Sequence, residues 1–152
     1  MKKVLTFAFA VMLVMSLSVT AFAANTTDGE ADITTSIAPT YTVTIPADVN
    51  VAFNATETAF GTIEVTASQI HPDKCIKVAL TTDNELNNAI DTTKVIPYAI
   101  KDSEGAAFTS ATYLTEGDKT ELSIHITADD WNAAYAGEYS DTVTFTVSYE
   151  DK

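Results

Sequence analysis

One stretch, G-E-Y-S-D-T-V-T-F-T-V-S-Y at residues 137–149, constrains the fold of this chain more than any other. Apolar side chains take every second position and hydroxyl side chains fill the places between them: Val143, Phe145, Val147 and Tyr149 against Thr144, Thr146 and Ser148. A strand with this period has one apolar face and one polar face. The pattern predicts one long strand, with Val143, Phe145 and Val147 in a core and Thr144 and Thr146 in solvent. An apolar face of this length needs a second layer to cover it.

The same alternation recurs along the chain and predicts further short strands at residues 41–45, 49–53, 61–66, 75–80, 95–100, 108–114 and 122–127. Pro46 interrupts the first two and indicates an edge strand that changes sheets, and Pro97 indicates a second sheet edge. Residues 81–93 predict a loop or a helical turn, and residues 128–136 a short helical turn. The count predicts an all-β fold, an Ig-like antiparallel β-sandwich of about seven to nine strands.

The amino-terminal residues are typical of a secretory signal peptide. Lys2 and Lys3 precede an apolar run at residues 4–17, and Ala21-Phe22-Ala23 supplies small residues for cleavage. We therefore predict a signal peptide over 1–23, a mobile extension or first strand over 24–39, and a single sandwich domain over 40–152. No later stretch is apolar enough to insert in a bilayer. The predicted location is secreted or at the cell surface.

The charge of the chain excludes some classes of partner. The formal net charge is −13 and becomes −15 when Lys2 and Lys3 are removed with the leader, and the chain has no arginine. Such a surface repels nucleic acid and anionic lipid head groups. Cys75 is the only cysteine, so no internal disulfide can form, and we expect it to be a buried small hydrophobe rather than an intermolecular bridge.

Catalytic and metal-binding motifs are missing from the sequence. His71 and His125 lie in a turn and on the outward face of a strand, where we expect solvated side chains. Two acidic groups offer oxygen ligands, but neither has the spacing of a Ca²⁺ loop: Asp129 with Asp130, and Asp28 with Glu30 and Asp32. We predict a protein that is not an enzyme and that holds no cofactor or metal.

Aromatic residues near the predicted helical turn give the only candidate small-molecule site. Trp131 and Tyr135, with Tyr139 nearby, could present flat rings to a carbohydrate. Trp131 could equally close the open end of the sandwich as part of the core.

Two resemblances concern the carboxyl-terminal strand. A-G-E-Y-S-D at residues 136–141 resembles the corner before the penultimate strand of immunoglobulin domains, with Tyr139 as the tyrosine corner and Asp141 in place of the cysteine. Gly137, the alternating strand and Tyr149 resemble the last strand of fimbrial subunits and of spore coat protein U-like domains. In those families the sandwich lacks one strand, which the neighbouring subunit donates from its amino-terminal extension.

The resemblance implies a role for the extension, in which Ala31, Ile33, Thr35 and Ile37 alternate with polar residues. This segment is either a donated strand or the domain's own first strand. The expected function is a secreted or cell-surface structural or adhesive module, in its sharpest form a subunit of a pilus-like assembly. Its partners would be copies of itself or other surface proteins. The alternative is a secreted module that binds carbohydrate or another ligand.

Overall fold

The computed structural model describes residues 30–152 and divides them into two units, one ending at Thr35 and the other spanning Ser36–Lys152. Nearly all regular structure in the described residues is β, which confirms the predicted fold class. The predicted signal peptide over 1–23 and the predicted mature terminus at Ala24 lie outside the described residues. The elements are β1 (Thr40–Thr44), β2 (Glu57–Gln69), β3 (Lys74–Thr81), β4 (Glu85–Asn88), β5 (Val95–Pro97), β6 (Ala99–Asp102), β7 (Ser110–Tyr113), β8 (Lys119–His125), α1 (Ala128–Ala133), β9 (Tyr139–Ser140) and β10 (Thr144–Asp151).

The strands form three antiparallel sheets. The largest has the order β1-β2-β8-β6, the second β10-β3-β7, and a small third sheet β5-β4-β9. The order β1-β2-β8-β6 matches the strand order A-B-E-D of one immunoglobulin sheet. In that comparison, β3 and β10 of the second sheet correspond to strands C and F of the other immunoglobulin sheet. Strand G would lie beside β10. Within residues 30–152 no strand occupies that place.

One hydrophobic core joins the sheets. Its fully buried side chains come from both layers: Ile63 and Val65 of β2, Ile76 and Val78 of β3, Ile100 of β6, and Ile126 just after β8. Leu122 and Ile124 point inward from β8 as the alternation predicts, and Cys75 is buried as expected. Burying this apolar area is the main term that stabilises a fold without a disulfide.

Several predicted elements differ from the structure. Residues 49–53 form no strand. Residues 81–93 contain strand β4 instead of a helical turn, because Leu86 and its neighbours pair with β5. The predicted strand over 95–100 is divided into β5 and β6, which belong to different sheets, and Pro97 lies in β5 at the edge of its sheet. The long strand predicted over 137–149 is divided into β9 and β10, which pair with β4 and β3.

Candidate functional site

Among the strands of residues 30–152, none pairs with the outer edge of β10, which we call the open edge. β10 pairs with β3 on one side only, and the Lys152 N–H donates to the Asp73 carbonyl at 3.1 Å at the end of that ladder. Because backbone groups alternate between the two sides of an antiparallel strand, the even-numbered residues of β10 bond to β3. Phe145, Val147 and Tyr149 therefore turn their N–H and C=O groups toward the open edge.

The apolar face of β10 is only partly covered. Val143 and Phe145 are half-buried and pack against the core, with the Phe145 ring centroid 5.9 Å from that of Phe60. Val147 is 38% exposed, so its predicted place in the core is wrong. The reason is that no strand of the described part of the chain lies beyond β10 to cover it. Thr144 and Thr146 are exposed, as predicted.

A groove opens beside β10 between the two layers of the sandwich. Its volume is about 930 Å³. We call it the β10 groove. Its apolar lining includes Phe60 of β2, Leu86 of β4, Ile96 of β5, and Val143 and Phe145 next to the open edge. Its polar rim carries three carboxylates, those of Asp48, Glu138 and Asp141.

Asp141 makes a hydrogen-bonded cluster on the groove wall. Its Oδ2 accepts from the Tyr98 hydroxyl and, at 2.9 Å, from Thr82 Oγ1. Burial raises the pKa of Tyr98 above its ordinary value, and the hydrogen bond to the Asp141 carboxylate raises it further. The cluster links the segment before β10 to the chain after β3 and before β6.

Tyr139 makes the hydrogen bond expected of a tyrosine corner. Its hydroxyl donates to the Tyr135 carbonyl at 3.0 Å and accepts from the Tyr135 N–H at 3.2 Å. The preceding Gly137 has φ +154°, and a Cβ there would lie 2.5 Å from Asn88 Nδ2. The corner therefore fixes how the chain enters β10.

The two predicted ring residues already have partners within the chain. The Trp131 indole N–H donates to the Ala55 carbonyl at 2.9 Å, and the Phe53 ring meets Trp131 edge-on at 5.6 Å. Trp131 is half-buried and lines the end of the β10 groove. Tyr135 is 63% exposed, with Lys94 Nζ 5.0 Å from its ring centroid. Of the two residues, Trp131 lines the β10 groove and Tyr135 does not.

The candidate donor segment, residues 31–37, pairs with no strand of the described residues. Ala31, Ile33, Thr35 and Ile37 lie in a stretch without regular structure, and all four are exposed. Ile33 is 99% exposed and Ile37 is 68% exposed. An isoleucine that is almost fully in water is the kind of side chain that a partner surface covers.

The remaining titratable residues are not gathered into a site. His71 is exposed and contacts the Asp73 carboxylate, and His125 is half-buried with Nε2 2.9 Å from Ser123 Oγ. Among residues 30–152, no group of three or more His, Cys, Asp or Glu side chains could hold a metal ion. In that same part of the chain, no helix has the length and apolar character needed to cross a membrane.

Comparison with known proteins assigns no family. No protein-family model matches the chain, and no curated protein matches it significantly.

Sequence reasoning did not find the groove itself. Phe60 of β2 and Tyr98, which lies between β5 and β6, both line it, and no local pattern brings them together. The place of Asp141 was visible as the position where an immunoglobulin domain has its cysteine. What it contacts depends on Thr82 and Tyr98, which are 59 and 43 residues away along the chain.

Proposed function

We propose that this protein is a secreted or cell-surface structural or adhesive module that assembles into linear polymers. In each contact, residues 31–37 of one copy lie beside β10 of the next as an added strand. The observation that supports this most is the open edge of β10 next to an apolar groove. A peptide added to a sheet edge gains main-chain hydrogen bonds, and pockets for its alternate side chains give specificity.

The donor segment fits the open edge in length and period. It has seven residues from Ala31 to Ile37, and β10 has eight. Its inward side chains would be Ala31, Ile33, Thr35 and Ile37. Moving an exposed isoleucine into an apolar groove is favourable by about 1.5–3 kcal/mol.

The direction of β1 favours a neighbour's segment over the chain's own. Tyr41 of β1 stacks on Tyr149 at 5.8 Å, and the chain after β1 reaches the groove near Val143, so β1 runs antiparallel to β10. A segment directly before β1 would have to reverse at Ala38 and Pro39 to enter its own groove, and it would then run parallel to β10. A neighbour's segment can run antiparallel, as strand G does. A contact of this head-to-tail kind does not close on itself and yields filaments.

The oligomeric state of the chain from Ala24 tests this proposal. We expect concentration-dependent polymers by light scattering and electron microscopy. The double variant Ile33→Asp/Ile37→Asp should remain monomeric, because it places carboxylates in an apolar groove. The matched control is Thr34→Asp/Ser36→Asp, which adds the same charge on the opposite face of the segment and should still assemble. A wild-type chain that is monomeric at every concentration would contradict unaided assembly.

Amide hydrogen exchange locates the contact. In the monomeric double variant we expect fast exchange at Phe145, Val147 and Tyr149 and slow exchange at Thr146 and Ser148, which already bond to β3. In the polymer all five amides should exchange slowly. Polymers in which Phe145 and Val147 keep fast exchange would place the contact elsewhere.

A further inference from the structure

Residues 46–53 have the alternating sequence of a strand but do not form one. Val49, Val51 and Phe53 alternate with polar or small residues, yet the segment has no regular structure. Phe53 is 77% exposed and Val49 is 37% exposed. Val51 is half-buried against the core and Phe53 meets the Trp131 ring edge-on, but the backbone of the segment pairs with no strand of the described residues.

The segment is separated from β2 by a local packing constraint. Pairing of β1 with β2 ends at Thr44 opposite Glu64, and Pro46, which has no N–H to donate, follows two residues later. Pro46 packs closely on Gly61, where a Cβ would lie 3.1 Å from the proline Cβ. The β2–β8 register shifts at the same place, between Ala59 and Gly61. These features keep the segment from continuing β1 along the edge of β2.

Its backbone is nearly unbonded. Within residues 30–152, the only backbone–backbone hydrogen bond made by Pro46 to Phe53 is that of the Ala52 carbonyl, which accepts from the Ala55 N–H at 3.0 Å. The segment nevertheless lies on the wall of the β10 groove, and Val49, Val51 and Phe53 line the same cavity as Val143 and Phe145. It therefore offers free N–H and C=O groups near the place where a donated strand would lie.

We propose that residues 47–53 become a strand when the groove is filled and pair with the second edge of the donated segment. This inference rests on the proposed function, because it concerns the same groove. An inserted strand has two edges, and its N–H and C=O groups alternate between them. If only β10 paired with it, the groups on its other edge would be left in the groove without partners, at a cost for each one buried from water. Residues 47–53 are placed to satisfy them.

The test uses backbone N-methylation of a peptide with the sequence of residues 30–39. Methylation removes one N–H and blocks one side of the strand at that residue. One peptide carries the methyl groups on residues 33 and 35, and the other carries them on residues 34 and 36, so that the two peptides block opposite edges. The receptor is the chain from Ala24 carrying Ile33→Asp and Ile37→Asp, so that its own segment does not compete. A peptide of scrambled order is the control.

We expect both methylated peptides to bind at least about tenfold more weakly than the unmodified peptide, because each loses two hydrogen bonds of about 1 kcal/mol. The amides of residues 49–53 should exchange more slowly when the unmodified peptide is bound. If only one methylated peptide lost affinity, the strand would pair on one edge alone, and the inference would be wrong while the proposed function stood. The same conclusion would follow if residues 49–53 gained no protection. Failure of the unmodified peptide to bind would contradict the proposed function itself.

Discussion

β3 and β10 are neighbouring strands with the same kind of sequence and different surroundings. Val78 of β3 and Val147 of β10 are partners in register, and both belong to alternating apolar stretches. Val78 is fully buried, whereas Val147 is 38% exposed. In the sheets that residues 30–152 form, β3 has a strand on each side and β10 has a strand on one side. The comparison teaches that the burial of a strand residue depends on the next strand as well as on its own pattern.

The largest expected effect is at the apolar face of β10 itself. Phe145→Ala should lower the free energy of unfolding by about 2–3 kcal/mol, somewhat less than for a fully buried ring, because Phe145 packs on Phe60 but is only half-buried. Its neighbour Thr144 is exposed, so Thr144→Ala should cost less than about 0.5 kcal/mol. Denaturant unfolding of the monomeric double variant measures both. Equal losses would mean that the assigned face of β10 is wrong.

The same substitution at the two register partners sharpens the comparison further. Val78→Ala should cost about 2 kcal/mol, because it leaves a cavity in a closed core. Val147→Ala should cost less than about 1 kcal/mol in the monomer and should weaken polymer formation, because Val147 becomes buried only under an added strand. If the two variants were equally unstable as monomers, β10 would be covered in solution by something other than a second copy.

The loss of stability at alkaline pH should depend more on Tyr98, beside the groove, than on Tyr113 of β7. Burial raises the pKa of both Tyr98 and Tyr113, and at Tyr98 the Asp141 carboxylate adds to the effect. A raised tyrosine pKa favours the neutral form in the folded state, so its stabilisation is complete below the ordinary pKa of about 10 and is lost as the pH rises above it. Tyr98→Phe should therefore remove more of the alkaline loss of stability than Tyr113→Phe. Unfolding midpoints measured at pH values from 8 to 11, spaced by about one pH unit, would show this difference. If the midpoint of Tyr98→Phe depended on pH as that of the wild-type chain does, the prediction would be wrong.

Ionic strength should have the smallest effect of these changes. We expect it to change polymer formation more than the stability of the monomer. The chain carries a formal net charge of −13, and the rim of the groove carries Asp48, Glu138 and Asp141. Raising the ionic strength screens the repulsion between copies, so polymer formation should increase while the unfolding midpoint of the monomer changes little. Static light scattering against salt concentration measures this. Assembly that falls with salt would indicate an attractive contact between charges instead.

The sequence predicts the closed side of this molecule well. At Leu122, Ile124 and Ile126 a two-residue period and a covering layer lead to burial in the structure. The prediction holds there because the neighbouring strands exist, so each inward side chain has somewhere to pack.

The open side could not be predicted in the same way. The patterns at Val49 and at Val147 are as regular as those in the core, but their burial depends on a strand that the described residues do not supply. The division of residues 137–149 into two strands depends on contacts with Asn88 and Tyr135, which a local pattern cannot reveal. The alternation indicates which side chains of a segment can be buried, and the neighbouring strands determine whether they are.

The chain has one cysteine and so no internal disulfide, and a hydrogen-bonded cluster surrounds Asp141. At this position immunoglobulin domains carry a cysteine whose disulfide must be oxidised in a suitable compartment and can be reduced again. Here a carboxylate receives two hydroxyl hydrogen bonds instead, from Tyr98 and Thr82. Such a link forms as soon as the chain folds, requires no oxidant or isomerase, and resists thiol reductants. A fold held in this way does not depend on the redox state of its surroundings.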